Sequence, residues 1–549
     1  MILFLLGCVG QPDLPETGDT GDSLVLSNNT VSLDVIPLLR RISLDFRGVP
    51  VSLDELGLVE GLLADGIDHQ EILNDWSVRF LEDERVEDRL VHLLSERWLT
   101  KLDQFNIRYD QFGLSPFDEF EYERSVGEEP LRLISNITMS DVPWTDVVTA
   151  DFTMANEMLA SVWPIDYPEG ETGWQRSSYS DGRPSVGVLM SNGLWWRYYT
   201  TPFNYNRRRA ATIVDLLLCE DYLSRPVSLS DTTNILEVGA DEAISNTEAC
   251  QSCHVTMDPL AAGLFGFWWF DIYDPEELSV YHVSREHLGE TFLDARPEWF
   301  GTPFDSPQEM AAIASSDPRV VSCAVESFAE LLWRRPTEMV DFPRLNDVRG
   351  AFESSGLRGT DLLMEIIRTP EYRAGSLSPE ATAEDYEREK TARQLSPSQL
   401  ASSIAELTGF EWTWQGYDQL DNDTIGYRIL AGGVNGWSVT GISDSPGFSF
   451  SLVLRRLSEA AGSWVVSEGI GEDSAGLLSY VDGETDSASS EFTEQVVMLH
   501  RAFHGFTPDP ELIELDRDLW NTINSQDGPS SAWAGLISAL IRDPSFWSY

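Results

Sequence analysis

Apolar residues along this chain recur far more often at three- and four-residue steps than in strict alternation. In residues 207–219 (RRRAATIVDLLLC), Ala211, Val214 and Leu218 share one helical face. Beyond Asp317-Pro318, the positions Val321, Val325, Phe328 and Leu332 step by four, three and four. Helix-start chemistry agrees: Ser52 with Glu55, Ser306 with Glu309 and Ser396 with Gln399 have the capping-box spacing, and Pro307 and Pro397 follow two of these caps at the first helical position. The pattern predicts a mainly α, multi-helical fold. A small β element is expected near the C-terminus, where residues 427–440 (YRILAGGVNGWSVT) join β-branched residues to paired glycines suited to a tight turn or short hairpin.

A weak repeat overlies this pattern. Residues 39–50 (LRRISLDFRGVP), 331–337 (LLWRRPT) and 499–508 (LHRAFHGFTP) each end a helix on a basic residue and turn through Gly or Arg into Pro. Each leads to an acidic amphipathic helix and then to a segment closing on an aromatic, at 74–80, 364–373 and 539–547. If the echo is real, the unit is a packing module without chemistry of its own. Residues 375–393 (GSLSPEATAEDYEREKTAR) have almost no large apolar side chains and read as a linker or solvated helix. The expected organisation is therefore a leader and tether (1–23), an N-terminal helical domain (24–160), a second helical domain (161–374), the linker (375–393) and a C-terminal helical module (394–549). Residues 467–490 are polar and acidic and read as a mobile loop.

Charge narrows the function. The 549 residues carry 37 Lys and Arg against 91 Asp and Glu, a formal net charge of −54. That excludes electrostatically driven binding to nucleic acid or to anionic lipid. With 42% hydrophobic residues and 18 Trp, the chain can bury several cores, so bulk disorder is excluded too. The opening MILFLLGC is too short to span a bilayer. Leu5-Leu6-Gly7-Cys8 resembles the bacterial lipobox, in which cleavage precedes a cysteine that then carries a diacylglycerol anchor. The missing basic n-region points to a start upstream of Met1. Residues 11–23, with Pro12, Pro15, Asp13, Asp19 and Asp22, form a polar tether. The alternative is an ordinary buried N-terminal segment.

The five cysteines divide on this basis: Cys8 takes the lipid, and Cys250-Gln251-Ser252-Cys253-His254 is a Cys-x-x-Cys-His, the attachment signature of c-type haem. Two thiols add to the haem vinyl groups, and the adjacent His254 is held against the iron as its axial ligand. A Cys250–Cys253 redox disulfide, a structural disulfide or free thiols, and zinc remain alternatives; zinc is disfavoured because no second Cys/His pair stands at finger spacing. A sixth ligand is not evident among Met257, His282, His287 and Met310, and residues 264–273 (LFGFWWFDIY) suit either a haem wall or plain core. Cys219 and Cys323 remain, on two amphipathic helices flanking the motif, and are expected to form a disulfide, with two buried free cysteines as the alternative.

A further concentration is Trp195-Trp196-Arg197-Tyr198-Tyr199 followed by Asn204-Tyr205-Asn206-Arg207-Arg208-Arg209. Such residues can make a sugar- or anion-binding face, although a core edge beside a basic helix start is the favoured reading. The carboxylates are too numerous for any pair to be chosen as acid and base, and no G-x-S-x-G, H-E-x-x-H or P-loop pattern occurs.

Several of these pieces together resemble a known group, the large secreted cytochrome-associated proteins of unknown function abundant in planctomycetes and related bacteria. Residues 41–50 (RISLDFRGVP) look like the family's R-L-S-L-D-L-x-G-L-P motif, and 141–156 (DVPWTDVVTADFTMAN) like its L-L-T-A-D-Y-T-x-x-N segment. Residues 250–270 resemble its C-x-x-C-H-x-x-M-D-P-x-G domain, and 322–336 (SCAVESFAELLWRRP) its Cys-containing helix ending in G-R-P. The resemblance covers 35–374 and, loosely, the C-terminal module. It implies a helical, exported, haem-binding protein. Two departures stand out: the separate N-terminal cytochrome domain of many members is absent, and Ala261-Ala262-Gly263 interrupts the expected P-x-G.

The expected function is an exported, lipid-anchored, c-type cytochrome-like protein of the periplasm or cell surface, passing electrons to an unidentified redox partner. A surface binding or scaffold protein without a redox role and an exported polysaccharide-acting enzyme are the alternatives.

Overall fold

The computed structural model describes residues 29–225, 248–443, 445–470 and 476–549. Cys8 and the 11–23 tether lie outside the described residues. The fold is mainly α, with a few short strands in small antiparallel sheets.

Helix starts follow the local chemistry of their caps. Both arms of the capping box close at Ser52/Glu55 and at Ser396/Gln399. At Ser306 only the forward arm forms, because the Glu309 carboxylate accepts from the Asp305 N–H, one residue early (2.8 Å). Asp317 caps its helix by accepting from the Arg319 N–H.

The first five helices are α1 (Val35–Arg47), α2 (Leu53–Ala64), α3 (His69–Leu81), α4 (Arg85–Trp98) and α5 (Glu119–Met139). In α1, Leu38, Leu39, Ile42 and Phe46 enter one apolar core while Leu44 enters another. The first core runs from Val35 to Tyr372 and is continuous across 160/161, so the two expected helical domains share one interior. The second is built from the C-terminal module. A third, aromatic cluster lies under α5, where Trp163 meets Trp196 edge-on at 5.2 Å.

Helix α5 is buried along most of its length and contains Pro130, which has no N–H to give to the Val126 carbonyl. Gly193 fills that place: a Cβ there would stand 2.0 Å from the Val126 oxygen. Next to it, the fully buried Glu129 carboxylate takes hydrogen bonds from Thr153 Oγ1 (2.8 Å), Tyr179 Oη (2.6 Å) and the Gly193 N–H (2.8 Å). One acid thus fixes the small three-stranded sheet, whose central strand is Gln175–Tyr179, and the Asn192–Arg197 helix onto α5.

The repeat seen in the sequence has a backbone counterpart. The three helices Val35–Arg47, Pro318–Trp333 and Ser490–His504 all end on a left-handed residue, Gly48 (φ 76°), Arg334 (φ 59°) and Gly505 (φ 76°). In each unit a later helix packs back on the first: α3 on α1, Gly359–Ile367 on Pro318–Trp333, and Pro529–Arg542 on Ser490–His504.

Three expectations are refined by the local structure. Residues 375–393, expected as a linker or solvated helix, contain the largely exposed Ala383–Arg388 helix, boxed by Thr382, but are otherwise folded in: Ala374–Leu377 pairs antiparallel with Thr30–Ser32, and Glu389 and Arg393 are buried. Of the two forms expected for 427–440, tight turn or short hairpin, the segment takes turns, with Asn435 Oδ1 gathering the N–H groups of Trp437, Ser438 and Val439. The hairpin of this module is Thr413–Trp414 with Tyr417–Asp418, turning through Gln415 (φ 52°) and Gly416 (φ 88°). In the 467–490 stretch, the described residues Leu478 and Val481 are buried in the C-terminal core.

The two cores meet through a polar seam on α1. Arg41 is fully buried and donates to the main-chain oxygens of Tyr372 (2.7 Å), Ala374 (2.8 Å), Thr391 (2.9 Å) and Tyr549 (3.3 Å). Asp45, one turn on, accepts from Tyr372 Oη (2.9 Å), Tyr549 Oη (2.7 Å), Arg393 (3.3 Å) and Gln399 (3.4 Å). Elsewhere, the Arg207–Leu218 helix ends on Cys219, whose sulfur lies at disulfide distance from that of Cys323, the Cα atoms being 5.2 Å apart.

Removing one partner from a buried, paired charge costs about 3 to 5 kcal/mol. Asp45→Ala is therefore expected to lose stability on that scale in urea titration, whereas a substitution at exposed Leu58 leaves it near wild type. A Cys219–Cys323 bond would close a loop of 104 residues, for which the chain-entropy account gives about 4.7 kcal/mol. Non-reducing peptide mapping should recover the linked pair, and the double Ser variant should melt lower.

Candidate functional site

The haem-type signature lies on the helix Glu248–Ala262. Its inner face, Met257, Leu260, Ala261 and Ala262, is buried in the first core, and it packs on the Arg207–Leu218 and Leu288–Leu293 helices. On the outer side Gln251, Ser252 and Val255 are exposed. Between these faces Cys250 and Cys253, three residues apart and so on the same side of the helix, are half-buried and not bonded to each other. Thr256 Oγ1 ties the turn down, donating to the Cys253 carbonyl and meeting Tyr222 Oη, both at 3.0 Å.

His254 is oriented from within its own helix. Its Nδ1 lies 2.9 Å from Asp258 Oδ1, and Arg207 grips the same carboxylate with two hydrogen bonds of 2.8 and 3.0 Å. Burial alone would raise the Asp258 carboxyl, but the His254 and Arg207 hydrogen bonds more than reverse this and hold it below its ordinary value. An ionised carboxylate only accepts, so Nδ1 carries the proton. In the neutral ring Nε2 is then the nitrogen with a free lone pair.

This donor set fits a covalently attached haem. Two unbonded, half-buried thiols stand three residues apart on one side of the helix, and one imidazole is held by a second group in the tautomer that leaves Nε2 free for a metal. Signals for this relay are uneven along the chain. The four-residue step from His254 to Asp258 is visible in the sequence, but the arrival of Arg207 from 51 residues away is not.

None of the candidate sixth ligands is brought to His254 by a described contact. Met257 and Met310 are core residues, and His282 Nε2 is held by the Glu277 carbonyl (2.9 Å). His287 is exposed at the start of the Leu288–Leu293 helix, which meets the far end of the motif helix, where Gly289 abuts Ala262. The aromatic run 264–273 is chiefly core: Phe265, Phe267, Trp268 and Trp269 are buried, and only Phe270 and Tyr273 emerge.

The Trp195–Arg209 concentration is also largely structural. Trp195 and Trp196 are buried and donate through Nε1 to the carbonyls of Leu189 and Leu278. Arg209 is fully buried, its guanidinium 4.0 Å from the Trp269 ring centre and bonded to the Phe267 carbonyl (2.6 Å). Arg207 alone of these arginines serves the motif helix. Tyr199 lines a separate surface cavity.

The geometry separates the cysteines into two classes, which alkylation can read. In protein made without haem-attachment machinery, iodoacetamide should modify Cys250 and Cys253 without reductant and spare Cys219 and Cys323. Recovery of a Cys250–Cys253 disulfide peptide would instead favour the redox-disulfide reading.

Known protein-family models, curated proteins and solved structures give no match to this chain.

Proposed function

We propose that the chain is an exported, lipid-anchored, c-type cytochrome-like protein that holds haem on Cys250 and Cys253 and serves in electron transfer. The observation that carries this reading is the relay His254–Asp258–Arg207, which orients an imidazole beside two free thiols and leaves its Nε2 available. When bound, haem supplies one-electron chemistry whose potential depends on the axial ligand and on the groups behind it. Cys250 and Cys253 would hold it covalently, and His254 would ligate its iron. Asp258 holds the imidazole proton and makes Nε2 a stronger donor, while Arg207 balances the carboxylate charge. Exposed Gln251, Ser252 and Val255 leave the same turn open to a redox partner.

Two features support an extracytoplasmic address. Leu5-Leu6-Gly7-Cys8 has the lipobox pattern, and a Cys219–Cys323 bond would suit an oxidising compartment. Among the described residues no helix is long and apolar enough to cross a membrane, so attachment is assigned to acyl chains on Cys8.

Co-expression with a cytochrome c maturation system should yield protein with one covalent haem per chain by pyridine haemochrome. Cys250→Ser with Cys253→Ser should abolish the haem-stained band on a denaturing gel, and His254→Ala should leave a less stable haem with an altered spectrum. Asp258→Asn should retain haem but raise its reduction potential. Colourless wild-type protein would overturn the proposal.

A further inference from the structure

Away from the motif helix, two adjoining cavities of about 360 and 490 Å³ meet at Leu102 and Asp103. The first lies between α5 and the C-terminal module, with Phe120 and Glu123 on one wall and Trp412, Tyr417 and Asp418 on the other. The second is walled by Tyr199, Tyr273 and Trp437 together with Gln104, Asn106 and Arg108. Together they make one cleft along the seam between the two cores.

Several of the charges lining it, on a chain of net charge −54, are paired across its walls, although Arg124 and Glu411 line it as well. Lys101 pairs with Asp421 (2.8 Å) and Glu128 (3.3 Å), and Arg428 with Asp103 (2.6 Å) and Asp423 (3.4 Å). Burial spares Glu123 a negative charge, whereas Asp418 is raised but still ionised at neutral pH. Desolvation pushes the Glu123 carboxyl up to about 9 against the hydrogen bond from the Phe105 N–H, and pushes Asp418 up to about 6 against that from Leu420. Glu123 is 3% exposed; its Oε2 accepts from Phe105 (2.9 Å), while its Oε1 has no hydrogen-bond partner among the described residues. A buried polar atom left unpaired is costly, so a partner from outside the chain would be rewarded there.

The aromatic rings of the second cavity are exposed, and the Trp437 loop is tied down. Tyr273 and Trp437 are 61% and 58% exposed. Three N–H bonds to Asn435 Oδ1 fix the Trp437 loop, and the Arg197 guanidinium stands 5.4 Å from its ring centre. Gly436, at φ 71°, lets that loop seat on Leu99, since a Cβ would fall 2.6 Å from the Leu99 oxygen. Large apolar rings fixed in water next to a polar cleft are the usual make-up of a ligand site.

We infer that this cleft binds a neutral, polyhydroxylated ligand, namely an oligosaccharide segment, stacked on Trp437 and Tyr273 with its hydroxyls on the Asp103–Glu123 side. A pyranose presents an apolar C–H face that matches the negative face of an aromatic ring, and hydroxyls that both donate and accept. The paired wall charges disfavour an ionic ligand. A cation is further disfavoured because, among the described residues, no three His, Cys, Asp or Glu side chains converge as a metal cage. This site is independent of the haem assignment.

The test is affinity electrophoresis of the full chain in native gels cast with hydroxyethylcellulose, xylan, laminarin or glucomannan, with polygalacturonate as the anionic comparison. At least one neutral polymer should retard the wild-type protein. Trp437→Ala and Tyr273→Ala should each weaken the retardation at least tenfold in apparent Kd with unchanged circular dichroism, while Tyr386→Ala, exposed on another helix, should behave as wild type. Absence of retardation by all four neutral polymers, equal retardation by polygalacturonate, or full retention of binding in both aromatic variants would each overturn the inference.

Discussion

The buried charge seam on α1 is the constraint on which the rest of this structure depends. A helix that sends Leu38, Leu39, Ile42 and Phe46 into one core and Leu44 into another has no solvated side on which to place its polar residues. Arg41 and Asp45 are therefore enclosed, and enclosed charges are tolerated only when they are paired and hydrogen-bonded. The groups that meet this need come from 372–374, 391–399 and Tyr549, so satisfying two side chains aligns three distant stretches of chain. Ser43 and Arg47 extend the same logic outward: Arg47 donates to Ser43 Oγ and to both oxygens of Glu55, and stacks on Phe80. The R-x-S-L-D-x-R pattern is thus a list of enclosed polar groups, and their directional bonds set the angle between the two halves.

That angle is what shapes the cleft. Lys101 and Asp103 follow α4 and are held by Asp421 and Arg428 from the other half, so the cavity walls belong to two cores joined by these pairs as well as by the α1 seam. The motif helix depends on the first core alone. Its anchor, Arg207, opens a helix whose other end is Cys219. The orientation of His254 and the placement of the cysteine pair are therefore two ends of one rigid element.

The features legible in the sequence are those decided within one helical turn. Caps at Ser52, Asp317 and Ser396, the three left-handed helix ends and the Cys-x-x-Cys-His spacing are local chemistry, and they reappear in three dimensions. What pairing across the chain decides is not legible. Residues 375–393 read as solvated because they are charged, yet Arg393 is enclosed against Asp45, 348 residues away. The expected break near 160 vanishes because α5, polar in composition, is buried on several sides through Glu129 and Pro130. The C-terminal hairpin escapes notice because its strands are two residues long and its turn, Gln415-Gly416, lacks the Asn-Gly signature. At the motif, His254 and its thiols are readable, Asp258 is readable by spacing, and Arg207 is not. The cleft is invisible from sequence, since Glu123, Asp418 and Trp437 share no local pattern.

The nesting of the four internal cysteines imposes an order of events on biogenesis. Cys250 and Cys253 lie inside the span between Cys219 and Cys323, and four thiols allow three pairings. A chain entering an oxidising compartment from its N-terminus presents Cys219 and Cys250 long before Cys323, so the earliest bond available is a wrong one. If the inner thiols carry haem as proposed, correct closure of the outer pair is favoured when they are withheld from oxidation, by a reductant or by the haem itself. On that reading, haem attachment and the fastening of the scaffold around it are competing uses of one pool of sulfur, resolved by timing.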